Sequence, residues 1–229
     1  MQASSPDRPC RSTAASICIE AVQALEKLTA ENLTLERGGR ELFRALGFRA
    51  RAGEVVSVEG PNGAGKTSLL RLLAGFLQQP SGTIALTTSD QSEISDAEER
   101  GVFVGWLGHQ DGVKTQLTPF ETLEFFSRFY GVAGDSTAAL EDVGLARARD
   151  LPAQYLSAGQ KKRVALARLK LSARPLWLLD EPLASLDAAG KALAAQFISD
   201  HCKAGGIAIA ATHEPLGIEC TKLVLGGEQ

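Results

Sequence analysis

No run of 18 uncharged apolar residues occurs anywhere in this chain of 229 residues. A membrane-spanning helix needs about 20 of them, so no segment reads as a span. Cysteine pairs are missing too. Cys10, Cys18, Cys202 and Cys220 show no C-x-x-C spacing. They read as free thiols of a reducing compartment, not as a disulfide frame or a zinc site. The histidines, His109, His201 and His213, are scattered, and no metal cluster is expected from them. Charge of neither sign dominates, since the formal net charge is −3. Binding to nucleic acid wants a basic face, so no nucleic acid partner is expected. There is no internal repeat.

What is present is a hydrophobic content of 44%, enough for a full core. The length allows one large domain or two small ones. Residues 1–27 differ from the rest. Met1 to Ser16 is rich in Ser, Pro, Arg and Ala, and the apolar stretch Ile17–Val22 is too short for a secretory segment. Residues 1–27 are expected to be a disordered extension, with the folded domain running over 28–226.

The octapeptide Gly60-Pro61-Asn62-Gly63-Ala64-Gly65-Lys66-Thr67 carries the strongest signal. It fits G-x-x-x-x-G-K-[ST], and it stands between an apolar run (55–58) and the helical pattern that opens at Ser68. Its glycines let the backbone N–H groups curl into a nest for anionic oxygens. The helix N-terminus adds about half a positive charge. Lys66 is placed to reach the β/γ-phosphates and Thr67 to offer a hydroxyl to Mg²⁺. A nucleoside triphosphate is the expected ligand.

From Leu28 onward strand and helix signals alternate. Short strands are expected at 33–35 and 43–46 around the turn Gly38-Gly39, then at 55–59, 83–86, 102–107, 176–179, 207–212 and 223–225. Helices are expected at 67–74, 118–130, 157–171 and 188–202. Two of these open on capping boxes, Thr118 with Glu121 and Ser157 with Gln160, and Pro119 suits the first helical position. Such alternation means an α/β fold with a mostly parallel sheet. Asp180 and Glu181 then end an apolar strand, where Asp180 can help to hold Mg²⁺ and Glu181 can polarise a water. Gln110 and His213 also follow strands. Lys66, Gln110, Asp180, Glu181 and His213 therefore lie past the carboxyl ends of strands, the edge where open α/β sheets bind ligands.

Together with Leu156-Ser157-Ala158-Gly159-Gln160 and Ser185-Leu186-Asp187, these motifs occur in an order and spacing that resembles the nucleotide-binding subunit of ABC transporters. The resemblance covers about residues 28–226. It implies a P-loop NTPase fold, with a small antiparallel β region and a helical subdomain at about 111–158. It implies ATP and Mg²⁺ as the bound species, and a head-to-tail pair of identical chains. Each ATP would lie between Gly60–Ser68 of one copy and Ser157–Gln160 of the other. By the same resemblance Glu181 is the catalytic base, His213 contacts the γ-phosphate, Gln110 contacts metal and water, and Asp187 joins the two sites. Ala158 stands where the family usually has glycine. Arg37 stands where it usually has a ring that stacks on adenine, which leaves guanine acceptable, since arginine can stack as well.

The stretches 108–114, 117–123 and 156–163 look most like the ATPase subunits of haem-exporter, or cytochrome c maturation, systems. That resemblance implies an integral-membrane permease as partner and a peripheral position on the cytoplasmic face of the inner membrane. ATP hydrolysis would drive haem export or the release of a haem-carrying chaperone. The alternatives are the ATPase of another ABC exporter and a soluble, non-transport ABC ATPase; the latter usually has two cassettes or long insertions. Phe120, Phe125, Phe126, Phe129 and Tyr130 crowd one helix. Most of these rings are expected to fill the core of the helical subdomain. Family resemblance makes this region and the Gln110 loop a groove for a short permease helix.

Overall fold

The structure is a computed structural model that describes residues 23–78 and 81–226. β1 (Leu25–Arg37) and β2 (Arg40–Arg51) form a long antiparallel hairpin whose turn is Gly38-Gly39, both at positive φ. β1 also pairs on its other edge with a later strand at Thr83–Thr88, which in turn pairs with a two-residue strand at Glu93–Ile94. The strand expected at 33–35 is longer on both sides: Leu25 is already buried and pairs with Thr88. Glu26 and Lys27 hid its start: the pairing with the Thr83–Thr88 strand is irregular between Leu25 and Lys27, so the buried Leu25 and Leu28 stand three apart and break the period of two. Residues 1–22, with Cys10 and Cys18, lie outside the described residues.

The second sheet is parallel throughout. It contains β3 (Val55–Glu59) and, after the hairpin's partners β4 (Thr83–Thr88) and β5 (Glu93–Ile94), β6 (Val104–Leu107), β7 (Leu176–Asp180), β8 (Ile207–Ala211) and β9 (Thr221–Val224). Their order is β6-β7-β8-β3-β9. β7 and β8 are buried at every residue. Leu176, Leu178, Ile207 and Ile209 face one core, with Leu69, Leu72 and the antiparallel sheet. Trp177, Leu179, Ala208 and Ala210 face the other. The period of two sends successive side chains to opposite faces, so a strand covered on both sides reads as one continuous apolar run.

Helices close both faces. α1 (Lys66–Leu73) packs on β7 and β8, and Gly75 ends it at φ 77°. α2 (Ala97–Gly101) was not anticipated; Asp96 caps it through the N–H groups of Glu98 and Glu99. α3 (Pro119–Tyr130) has the expected capping box, first-turn proline and left-handed Gly131. α4 (Ser136–Asp142) packs with it against α5 (Ala158–Leu171), whose capping box also forms as expected. α3 and α4 also pack on each other, so the three helices form one cluster. α6 (Ala188–Lys203) covers β8 and β3.

The aromatic side chains of α3 are a correction. Phe125 and Phe129 are 57% and 66% exposed, and their rings stack 6.3 Å apart. The buried stripe of α3 is Pro119, Thr122, Leu123 and Ser127. Leucine and alanine side chains of α4 and α5 fill the space beneath it, which leaves Phe125 and Phe129 outside, while Phe120 packs partly against that core.

Candidate functional site

The turn from β3 into α1 is built so that only glycine fits its first position. Gly60 sits at φ 146°, and a Cβ there would stand 2.4 Å from the carbonyl oxygen of Leu225. Gly65 precedes α1 at φ 98°, with Leu42 and Phe43 of β2 packed over it. Lys66 opens the helix and folds back along the loop. Its Nζ donates to the carbonyl oxygens of Gly60 at 2.7 Å and Pro61 at 3.2 Å. The ammonium is buried and its donors rest on neutral carbonyls. Anionic oxygens would form stronger, charge-assisted bonds with it.

β7 delivers the carboxylates. Asp180 is 3% exposed and accepts from Thr67 Oγ1, at 3.0 Å through Oδ1 and 3.1 Å through Oδ2. Glu181 follows at φ 50°, with its N–H bonded to Ala211 O at 2.9 Å. A left-handed non-glycine residue costs on the order of 1–2 kcal/mol, so the neighbouring strand is holding an unfavourable backbone. The carboxylate turns towards β8, where Glu181 Oε2 lies 2.9 Å from His213 Nδ1. Glu214 Oε1 stands 3.8 Å from His213 Nε2. Lys191 pairs with Glu214 and pulls its carboxyl below the usual range. His213 is therefore flanked by two carboxylates.

A cleft of about 740 Å³ joins these parts. Arg37, Gly38, Leu42, Asn62, Gly63, Gly65, Lys66, Thr67, Ser68, Arg71, His109, Asp180 and Glu181 line it. Ala64 instead packs into the core, and Pro61 is exposed. Gln110 does not line the cleft. The chain bends after Gly108, and His109 takes the place in the wall that had been expected for Gln110. His213 is reached through Glu181 and lies outside the cleft lining. Arg71 and Leu42 had not been singled out. Arg71 lies one helical turn beyond Thr67, a spacing that puts both on one face and could have flagged it. Leu42 comes from the other sheet and had no local signal.

Ser157, Ala158, Gly159 and Gln160 are absent from the cleft lining as well. Ser157 caps α5: its Oγ accepts from Gln160 N at 3.2 Å, and Gln160 Oε1 accepts from Ser157 N at 2.9 Å. Ala158 is the first helical residue, a conformation that alanine adopts without strain, so its departure from glycine is accommodated. Gly159 has no such freedom, since a Cβ would meet Ser185 O at 2.7 Å. Asp187 caps α6. Its Oδ1 accepts from Gly190 N at 2.8 Å and from Arg163 Nη2 at 2.7 Å, and both bonds hold its carboxyl below the usual range.

The chain's residues 43–184 match the family described as ABC transporter. A cytochrome c biogenesis ATP-binding export protein of Rhodopseudomonas palustris (strain BisB18) is 49% identical over 202 residues, covering 88% of this chain and 98% of that protein. The protein of the same description from Nitrobacter winogradskyi is 47% identical over 203 residues, with the same coverage. Among solved structures, a bacterial Atm1-family ABC exporter with ATP bound aligns with a TM-score of 0.75 at 25% identity, over 89% of this chain and 37% of that one. A dimeric ATP-binding cassette in a post-hydrolysis state, bound to ADP and Pi, aligns with a TM-score of 0.69 at 22% identity, over 82% and 88%. That likeness shows the fold.

Proposed function

Because the chain belongs to the ABC transporter family and groups there with cytochrome c biogenesis ATP-binding export proteins, we propose that it is the ATP-hydrolysing subunit of a membrane complex for c-type cytochrome biogenesis. The contact between Thr67 and Asp180 carries the reading of the cleft. Two side chains 113 positions apart meet beside a buried lysine, with Glu181 next in the chain. A hydroxyl and a carboxylate are the hard oxygen donors that Mg²⁺ takes when it keeps most of its water. Mg²⁺, when bound with ATP, offsets charge on the β- and γ-phosphoryl oxygens.

The chain's own groups do the rest. Lys66 and the backbone N–H groups of 60–67 bind the phosphates, and the α1 N-terminus adds its partial positive charge. Glu181 is the general base towards the attacking water. In the arrangement seen, its Oε2 is engaged by His213, which leaves Oε1 to accept a proton. His213 holds the base and meets the γ-phosphate. Gln110, one residue from the cleft wall, contacts metal and water when its loop closes on nucleotide. Within one chain the Ser157–Gln160 turn lies off the cleft, so a second copy supplies it, and Asp187 lies at that junction. A helix start with an added hydroxyl suits a phosphate.

No described helix is long and apolar enough to cross a membrane. The attachment we propose is the α3 face, where Phe120, Phe125 and Phe129 line a groove of about 560 Å³ with Glu121, Glu124 and Arg128. A short permease helix placing apolar anchors there would gain about 1.5–3 kcal/mol for each one buried. The subunit then sits on the cytoplasmic face of the inner membrane, two copies to a complex, and the complex moves haem or releases a haem chaperone. Fractionation of cells with and without the cytochrome c maturation permease tests this. The protein should pellet with membranes only when the permease is present. Equal membrane association in both, with normal c-type cytochromes in a strain lacking this protein, would overturn it and favour another exporter or a soluble ATPase.

The base end of the cleft makes a separate prediction. Among the described residues no phenyl, phenol or indole ring lines the cleft; Arg37 and Leu42 are in its lining, and Arg37 is the residue we place against the base. A lost ring–base stack forgoes about 1–3 kcal/mol. Neither side chain rejects a guanine edge, so GTP should compete with ATP within about tenfold, a factor equal to about 1.4 kcal/mol. A preference for ATP beyond about a hundredfold, twice that energy, would show that another side chain reads the base.

A further inference from the structure

Two cations of α5 are buried against the loop that follows β6. Lys162 is 2% exposed, and its Nζ lies 3.0 Å from Asp111 Oδ1. The contact is an ion pair without hydrogen-bond alignment, so both atoms are desolvated and only partly compensated. Arg168, 8% exposed, reaches both β6 and the same loop: its Nη2 donates to Trp106 O at 3.5 Å, and its Nη1 lies 2.9 Å from where a Cβ on Gly112 would stand. Its guanidinium also covers the ring of Phe126 at 4.8 Å, beneath the exposed rings of α3.

Stability alone is a weak reason for such a pair. Desolvation offsets most of the attraction, and apolar residues of similar volume in its place are often neutral or stabilising. The position of the pair supplies a better reason. The next residue, Arg163, pairs with Asp187 at the head of α6. The first turns of α5 are thus braced from two sides, by the 108–112 loop and by the 181–187 segment. Each of these segments puts a residue into the cleft wall, His109 and Glu181.

We infer that Asp111 and Lys162 are positioning residues: their buried ion pair sets the first turn of α5 relative to the cleft, and so links the nucleotide state of one cleft to the Ser157–Gln160 turn offered to the second copy. This rests on the ATP-sandwich reading above. Neither residue lines the cleft, so the pair should act on turnover and on dimer formation, not on the affinity of a single cleft.

The test is the double variant Asp111→Leu/Lys162→Met in the full chain, beside Lys66→Ala. MgATP affinity of the chain and its thermal midpoint should hold, the midpoint within about 4 °C. In the complex with the membrane partner kcat should fall about tenfold at unchanged KM. In a Glu181→Gln background, ATP-driven dimerisation should weaken by a similar factor. A kcat within twofold of the unsubstituted protein overturns the inference, and so does a joint fall of affinity, kcat and midpoint, which marks a structural role only. If the double variant does not fold, Asp111→Asn is read by the same two results. Lys66→Ala separates the failures. Hydrolysis retained there defeats the reading of the cleft, whereas loss there beside full activity in the double variant defeats only the role of the pair.

Discussion

Replacing Lys66 with alanine should abolish ATP turnover and weaken nucleotide binding by about ten- to a hundredfold, the loss that goes with a charge-assisted hydrogen bond of about 1.5–3 kcal/mol. The ammonium already points along the loop, held by Gly60 O and Pro61 O, so little reorganisation is needed before it meets phosphate oxygens. Arg37 and Arg71 also line the cleft, but neither bonds to the 60–67 loop as Lys66 does. They stand to supply part of the phosphate attraction, which is why binding weakens while turnover is lost. The substitution also removes two bonds that shape the loop. Equilibrium binding of ATP and release of phosphate measure the two effects separately. Unimpaired hydrolysis in the variant would sink the assignment of the loop.

Glu181→Gln should bind ATP normally and hydrolyse it about 10²- to 10⁴-fold more slowly, the range that a general base contributes. Glutamine keeps the volume and can still pair with His213 Nδ1 through its amide. It has the same discomfort at φ 50°, so the strand-end geometry held by Ala211 O is not relieved. What disappears is the carboxylate's capacity to take a proton. With chemistry stalled, the ATP-bound pair of chains should accumulate, and size-exclusion chromatography with ATP would show it. A variant that stays monomeric with ATP and turns over at the unsubstituted rate would show that Glu181 is not the base.

Much of this site was legible in the sequence because its signals are local. The Thr118 and Ser157 capping boxes need only residues three apart, and both form. The glycine loop needs only the strand before it and the helix after it. The apolar run before Asp180 needs only burial on both faces to become a central parallel strand, and all its residues are buried. These features answer to hydrogen bonds and side-chain periodicity within a few residues of one another, so the amino-acid order settles them. The tertiary structure decided whatever depends on direction or on distant partners. His109, not Gln110, enters the cleft wall, at the bend that follows β6. Phe125 and Phe129 stay outside, because leucines and alanines from α4 and α5 had already filled the space under α3. Leu42 arrives at the cleft from a different sheet. Lys162 reads as one more cation in a basic run, and only the packing of α5 on the loop after β6 buries it against Asp111. Burial and pairing across such sequence separations follow from how layers stack, and no local pattern encodes that.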